Sequence, residues 1–251
     1  MPRVVVEDKE EKVELSEPVN TQEEHSTFQG NLSDSLRLVI NSLKESIDNS
    51  ESPEKSVIFA DSLAKAYKNA LFYDSAAIYL ADIADEVESK ERLKIAGDAY
   101  FEAFNFAVSE SKRNSSGERA RYYYDKVLEI DPNDLDTKAN LAVTYVTSQS
   151  PMQGIGMLRE ILEVDPSHER ALFNLGLLSI TSGQLDRAVE RFSTLLANYP
   201  DHYEARLYLG YCYMELGQVE KAKAEFERVI DSDAEQTIKN AASGYLESIN
   251  N

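Results

Sequence analysis

The sequence predicts an all-α protein, an α-solenoid built as a stack of antiparallel helix pairs. Three observations lead there. Asp131-Pro132, Asp165-Pro166 and Tyr199-Pro200 follow one another at a fixed spacing of 34 residues, and a fixed period of this size marks a repeated supersecondary unit. Helix breakers are scarce, with 10 Gly and 7 Pro in 251 residues, so long helices are permitted. Apolar residues recur at helical spacing, and at 42% of the chain they suffice to cover a continuous core.

The elements follow in order. Residues 1–30 are rich in Glu, Ser, Thr and Gln, carry Pro18 and lack helical periodicity. Such a stretch buries too little apolar surface to offset its ordering entropy, which predicts a disordered acidic tail. An N-terminal helix is expected over 31–50, with Leu32, Leu36, Val39, Ile40, Leu43 and Ile47 on one face. Ser52-Pro53 then restarts the chain as a helix, Ser52 as cap and Pro53 in the first helical position. The solenoid is expected over 57–236 as about five helix pairs, at 57–88, 90–130, 135–164, 169–198 and 203–232. A last helix over 237–251, with Ile238, Ala241, Ala242, Tyr245, Leu246 and Ile249, is expected to cap the open end.

The repeats agree residue by residue. Leu141-Ala142, Leu175-Gly176 and Leu209-Gly210 are equivalent in the first helices; Gly154, Ala188 and Ala222 are equivalent in the second. Small residues there let two helices approach, and Tyr145, Tyr213, Leu158, Phe192 and Phe226 fill the space beside them. Gly183 and Gly217 fall at the turn within a pair, where a positive φ is useful. In the repeat before, Ser150-Pro151-Met152-Gln153 serves as a capping box instead. This pattern resembles the tetratricopeptide-repeat family over residues 135–236, so the stack is expected to be a tetratricopeptide-type superhelix. Leu63, Ala64, Tyr67, Ala76, Leu80 and Ile83 extend the pattern upstream. The following pair, from Ala96-Gly97 to Pro132, exceeds the period by about 11 residues, an insertion near 105–117. The expected form is a first helix to Glu110, a polar loop at 111–114 and a new helix capped by Ser115.

The net charge of −19 repels phosphate backbones and anionic membrane surfaces, which argues against both as partners, and it would steer a basic partner inward. The lone Cys212 excludes an internal disulfide and lies in an apolar helix, where a small core residue is the simpler reading. Neither a signal peptide nor a membrane anchor is read at the N-terminus, and a cytoplasmic protein is expected.

Catalysis needs a convergent set of acids, bases or metal ligands, and none is spaced for it; no enzyme, cofactor or metal is expected. His168 and His202 stand 34 apart, but adjacent repeats stack about 10 Å apart, too far for one ion to bridge them. Both are expected in a first helical turn.

The resemblance implies that the first helices line a concave surface. It places Asn140, Arg170, Phe173, Asn174, Leu177, Leu207, Tyr208, Tyr211 and Met214 in a partner-binding groove, with Val143 among them and Lys65, Lys94 and Asp98 upstream. The C-terminal part is apolar and aromatic, as contact patches are. The expected function is a non-catalytic scaffold or adaptor that holds a protein or peptide, of basic or amphipathic character, in the groove. The chain's own terminal segments are the competing occupants. A structural subunit using its outer or end surfaces is the alternative, and the oligomeric state stays open. Some members of the family clamp a partner's C-terminal carboxylates with Lys, Asn and Arg. Lys94, Asn140 and Arg170 match that clamp, but Asp98 and Asn174 depart from it, so a co-chaperone of this kind ranks below the other two readings.

Overall fold

The computed structural model describes residues 33–50 and 52–250; the tail expected over 1–30 lies outside them. Among the described residues there are twelve α-helices and no strand. A lone helix, α1 (Asp34–Asp48), precedes five pairs: α2 (Pro53–Asn69) with α3 (Tyr73–Val87), α4 (Lys90–Asn105) with α5 (Glu110–Ile130), α6 (Leu135–Val146) with α7 (Pro151–Val164), α8 (Glu169–Thr181) with α9 (Leu185–Asn198), and α10 (Tyr203–Glu215) with α11 (Val219–Ile230). The last helix is α12 (Gln236–Asn250). Each helix packs on the next, and first helices of adjacent repeats also meet: α4 with α6, α6 with α8, α10 with α12. That row is the inside of the stack.

The pairs close through glycine against aromatic ring. A β-carbon on Gly97 would stand 2.7 Å from the Tyr124 ring, and one on Gly210 2.6 Å from that of Phe226. Both rings are fully buried, and burying a ring of this kind contributes about 1.5–3 kcal/mol. In the α6–α7 pair the small residue moves to the second helix, where a β-carbon on Gly154 would stand 2.3 Å from the Ala142 carbonyl oxygen.

The turns inside three pairs share one geometry. The amide of Gly183 donates to the Ile180 carbonyl and that of Gln184 to Ser179; Gly217 and Gln218 repeat this with Met214 and Tyr213. Both glycines have φ 71, the left-handed residue of a Schellman end. Leu71 holds the same position after α2, with φ 64 and the same pair of bonds, its own amide to Lys68 and that of Phe72 to Tyr67.

Three local expectations need correction. The helix expected to start at Ser115 starts at Glu110, and Ser109 caps it by accepting from the Lys112 amide at 3.3 Å. The inserted residues therefore lengthen the second helix, and the loop lies at 106–109. Tertiary contacts draw the helix back: Lys112 Nζ bonds Asp74 at 2.7 Å, and Gly117 lies against the Phe104 ring. Ser52 and Ser150 precede helices without capping them. The capping serines 33, 89 and 109 have ψ near 150, which aims the hydroxyl at the first turn, whereas Ser150 has ψ 52. The Ser52 hydroxyl donates to Glu54 instead.

α12 repeats the register of α10 one period on, Gly210 to Gly244 and Tyr211 to Tyr245. Where α10 has Leu209 and Tyr213, α12 carries Ser243 and Glu247. Its outer face is polar, as a terminal repeat requires. No helix among the described residues is long and apolar enough to cross a membrane.

Candidate functional site: the inner face of the first helices

The inner face divides into a bonded polar half and an aromatic half. In the polar half, Asp98 Oδ1 accepts from the Tyr124 hydroxyl at 2.8 Å and from Asn140 Nδ2 at 3.2 Å. Asn140 Nδ2 also donates to the Tyr124 oxygen at 3.2 Å, and Arg170 Nη1 donates to Asn140 Oδ1 at 2.7 Å. One relay thus ties α4, α5, α6 and α8. Tyr124 is fully buried, and burial and the Asp98 carboxylate both push its phenol far above the ordinary range. The relay is therefore held by a neutral hydroxyl.

Lys94 Nζ reaches both oxygens of Asp134, at 3.0 and 2.9 Å. Asp134 caps α6 by accepting from the Thr137 amide at 3.0 Å. Burial alone would raise the Asp134 carboxyl, but that amide and the Lys94 ammonium hold it down at about 2. Lys94 and Arg170, the two cations a carboxylate clamp would use, are thus already bonded to the chain. Lys65 is exposed on α2.

In the aromatic half, Phe173 and Leu177 of α8 and Tyr208 and Tyr211 of α10 are half-buried. The Phe173 ring lies 4.9 Å from His202, 6.1 Å from Phe192 and 5.9 Å from Tyr208. Tyr208 stacks on Phe192 at 5.9 Å. Backing by a core ring fixes the orientation of an aromatic side chain. Leu207 and Met214 pack in one cluster with Ile238, Tyr245 and Ile249 of α12. The last helix therefore covers the far edge of the expected groove, one of the two competing occupants. Val143 is half-buried on α6.

The structure thus brings together Phe173, Leu177, Tyr208 and Tyr211, and separates from them Asn140, which is buried in the relay. Asn174, its equivalent one period on, donates only to the Arg170 carbonyl of its own helix, at 2.8 Å. Sequence reasoning missed Tyr245, whose ring lies 5.7 Å from Tyr211. The signal was available, since Tyr245 stands one period after Tyr211.

The two histidines and the cysteine have structural posts. His168 and His202 cap α8 and α10, each Nδ1 accepting from the amide three residues on, at 3.4 and 3.2 Å. Their Nε2 atoms lie 3.6 Å from Asp136 and 3.7 Å from Glu169. Cys212 is fully buried, and burial followed by the Glu215 charge pushes its thiol up to about 11, away from a reactive thiolate.

A tetratricopeptide-repeat family model matches residues 179–242. The fold is similar to that of a tetratricopeptide repeat protein from Parabacteroides merdae ATCC 43184, at 16% identity over 87% of this chain and 88% of that one, with a TM-score of 0.58. It is also similar to a thermophilic repeat protein of the same kind from Thermus thermophilus, at 15% identity over 72% and 89%, TM-score 0.53. A third likeness is to MamA, at 16% identity over 67% and 93%, TM-score 0.50. No curated protein matches it by sequence. Repeats of this kind serve in general as non-catalytic modules for protein–protein interaction. The 34-residue period, the row of paired helices and the family match over residues 179–242 give this chain the fold of a tetratricopeptide-repeat solenoid.

Proposed function

We propose that the chain is a scaffold or adaptor that holds a segment of a partner protein on the inner face of α8 and α10. The observation that carries this reading is the alignment of Phe173 and Leu177 with Leu207 and Tyr211 in the next repeat, 34 residues on. Phe173, Leu177 and Tyr211 remain half-buried rather than sealed. A backed, half-open aromatic row is what an extended segment or a helix face needs from a receptor. A cytoplasmic setting accords with the single, buried cysteine.

The test is affinity purification from the source cell with Phe173→Ala and Tyr211→Ala variants, each first checked by circular dichroism. Both are expected to lose partners that the parent recovers, at a cost of about 2 kcal/mol of affinity for an aromatic in such a centre. Equal recovery of the same partners from both folded variants would exclude this face.

One observation favours a second reading, a structural subunit that uses its edges. Leu71, Phe106 and Val108 are 72%, 59% and 89% exposed around the α2–α3 turn and the α4–α5 loop. Apolar side chains gathered at one edge are suited to contact with a neighbouring subunit.

A further inference from the structure

Along α10, Glu204, Tyr208, Tyr211 and Glu215 are spaced by 4, 3 and 4 residues, which sets them on one stripe of the helix. Both glutamates are exposed. Tyr245 of α12 adds a third ring beside Tyr211, and it is backed by Phe226, on which it stacks at 5.3 Å. Among the described residues Glu204 and Glu215 form no ion pair, and the hydroxyls of Tyr208 and Tyr211 form no hydrogen bond within the chain. The cations of this region are turned elsewhere. Arg206 bonds Glu225 and the Pro200 carbonyl, Arg170 bonds Asn140, and Lys221 lies over Tyr213. Burial and then Glu204 raise the Tyr208 phenol; burial and then Glu215 raise that of Tyr211. The phenols stay neutral and keep their electron-rich faces, and the charges acting on them are carboxylates. Aromatic faces rimmed by unpaired carboxylates attract a cation.

We propose, on the partner-binding reading above, that this stripe takes a segment with two basic side chains, their aliphatic stems lying over Tyr208, Tyr211 and Tyr245 and their charges reaching Glu204 and Glu215. The stems gain apolar contact while the charged ends stay wet. Glu204 and Glu215 are 11 positions apart, about 16 Å along a helix. An extended segment covers that distance in about five residues, so lysines or arginines at i and i+5 with apolar residues between them fit the stripe. The polar half of the inner face offers no such site, because Asp98 and Asp134 are already bonded.

The experiment is fluorescence anisotropy at low salt with a fluorescein-labelled peptide, Lys-Ala-Leu-Leu-Ala-Lys, against the same peptide with Gln or Glu in place of Lys. The Lys peptide is expected to bind about tenfold tighter than the Gln peptide, and to weaken as salt is added. Glu204→Gln and Glu215→Gln are each expected to weaken it about three- to tenfold; both residues are exposed, and thermal melts check that both variants fold. A Lys peptide that binds no better than the Gln or Glu peptide overturns the proposal. If the Gln peptide then binds and Tyr211→Ala abolishes it, the surface still stands and only the cation preference falls. If the Lys peptide is preferred but the double glutamine variant binds it unchanged, the chain's overall charge does the selecting, and the stripe is overturned.

Discussion

Gly176 lies so close beneath Phe192 that a β-carbon on the glycine would stand 2.6 Å from ring atoms Cε1 and Cζ. Phe192 is fully buried and has no route away. Gly176→Leu, and likewise Gly210→Leu against Phe226, should therefore unfold the C-terminal repeats. Overpacking costs about 1–3 kcal/mol or more, and in a repeat array the loss reaches the neighbours. Gly244 is the internal control. It stands in the same register on α12, but a β-carbon there meets nothing within 4 Å. Gly244→Ala should stabilise by about 0.5–1 kcal/mol through helix propensity alone. Thermal melts by circular dichroism read all three; a common melting temperature would show that the register is wrong.

Leu71 shows the same logic applied to the backbone. It adopts φ 64 at the position where Gly183 and Gly217 adopt φ 71. A left-handed conformation costs an ordinary residue about 1–2 kcal/mol, offset in part by the larger unfolded-state entropy of glycine. The Leu71 side chain is 72% exposed and loses little by removal. Leu71→Gly should raise stability by about 0.5–1 kcal/mol, measured by urea denaturation. A drop instead would mean that the exposed side chain packs on Phe106 or Val108 more than its exposure suggests.

The legible part of the fold was the part set by periodicity. The helix pairs from α6 to α11 follow from the 34-residue recurrence, because each repeat meets the same neighbours and needs the same small and large residues. The start of α5 was not legible. Ser115 reads as the cap, and the shift of the start to Ser109 rests on Asp74 and Phe104, residues from other helices. The candidate site was legible as a row but not in depth. Sequence spacing aligns Asn140 with Asn174, yet only Asn140 has a tyrosine hydroxyl and an aspartate within reach. Phe173 and Tyr208 read as exposed contacts, but Phe192 and His202 draw them half into the interior.

The difference between those two asparagines is open to measurement. Asn140 is buried, receives the Arg170 guanidinium on its oxygen, and gives its amide hydrogens to Asp98 and Tyr124. Removing it leaves the buried Tyr124 oxygen without the amide donor it accepts from and the exposed Arg170 without its acceptor. An unmatched polar group buried as Tyr124 is costs about 1–3 kcal/mol. Asn174 bonds only a carbonyl within its own helix, so its loss should stay within about 0.5 kcal/mol. Asn140→Ala should therefore lower the denaturation midpoint clearly, and Asn174→Ala should leave it almost unchanged. A Tyr124→Phe background supplies the check on mechanism. It removes one arm of the relay, so the Asn140→Ala cost should shrink in that background if the relay is the cause, as coupling in a double-mutant cycle requires. Equal effects of the two asparagine variants, or full additivity with Tyr124→Phe, would mean that the relay contributes nothing to the joint between the second and third helix pairs.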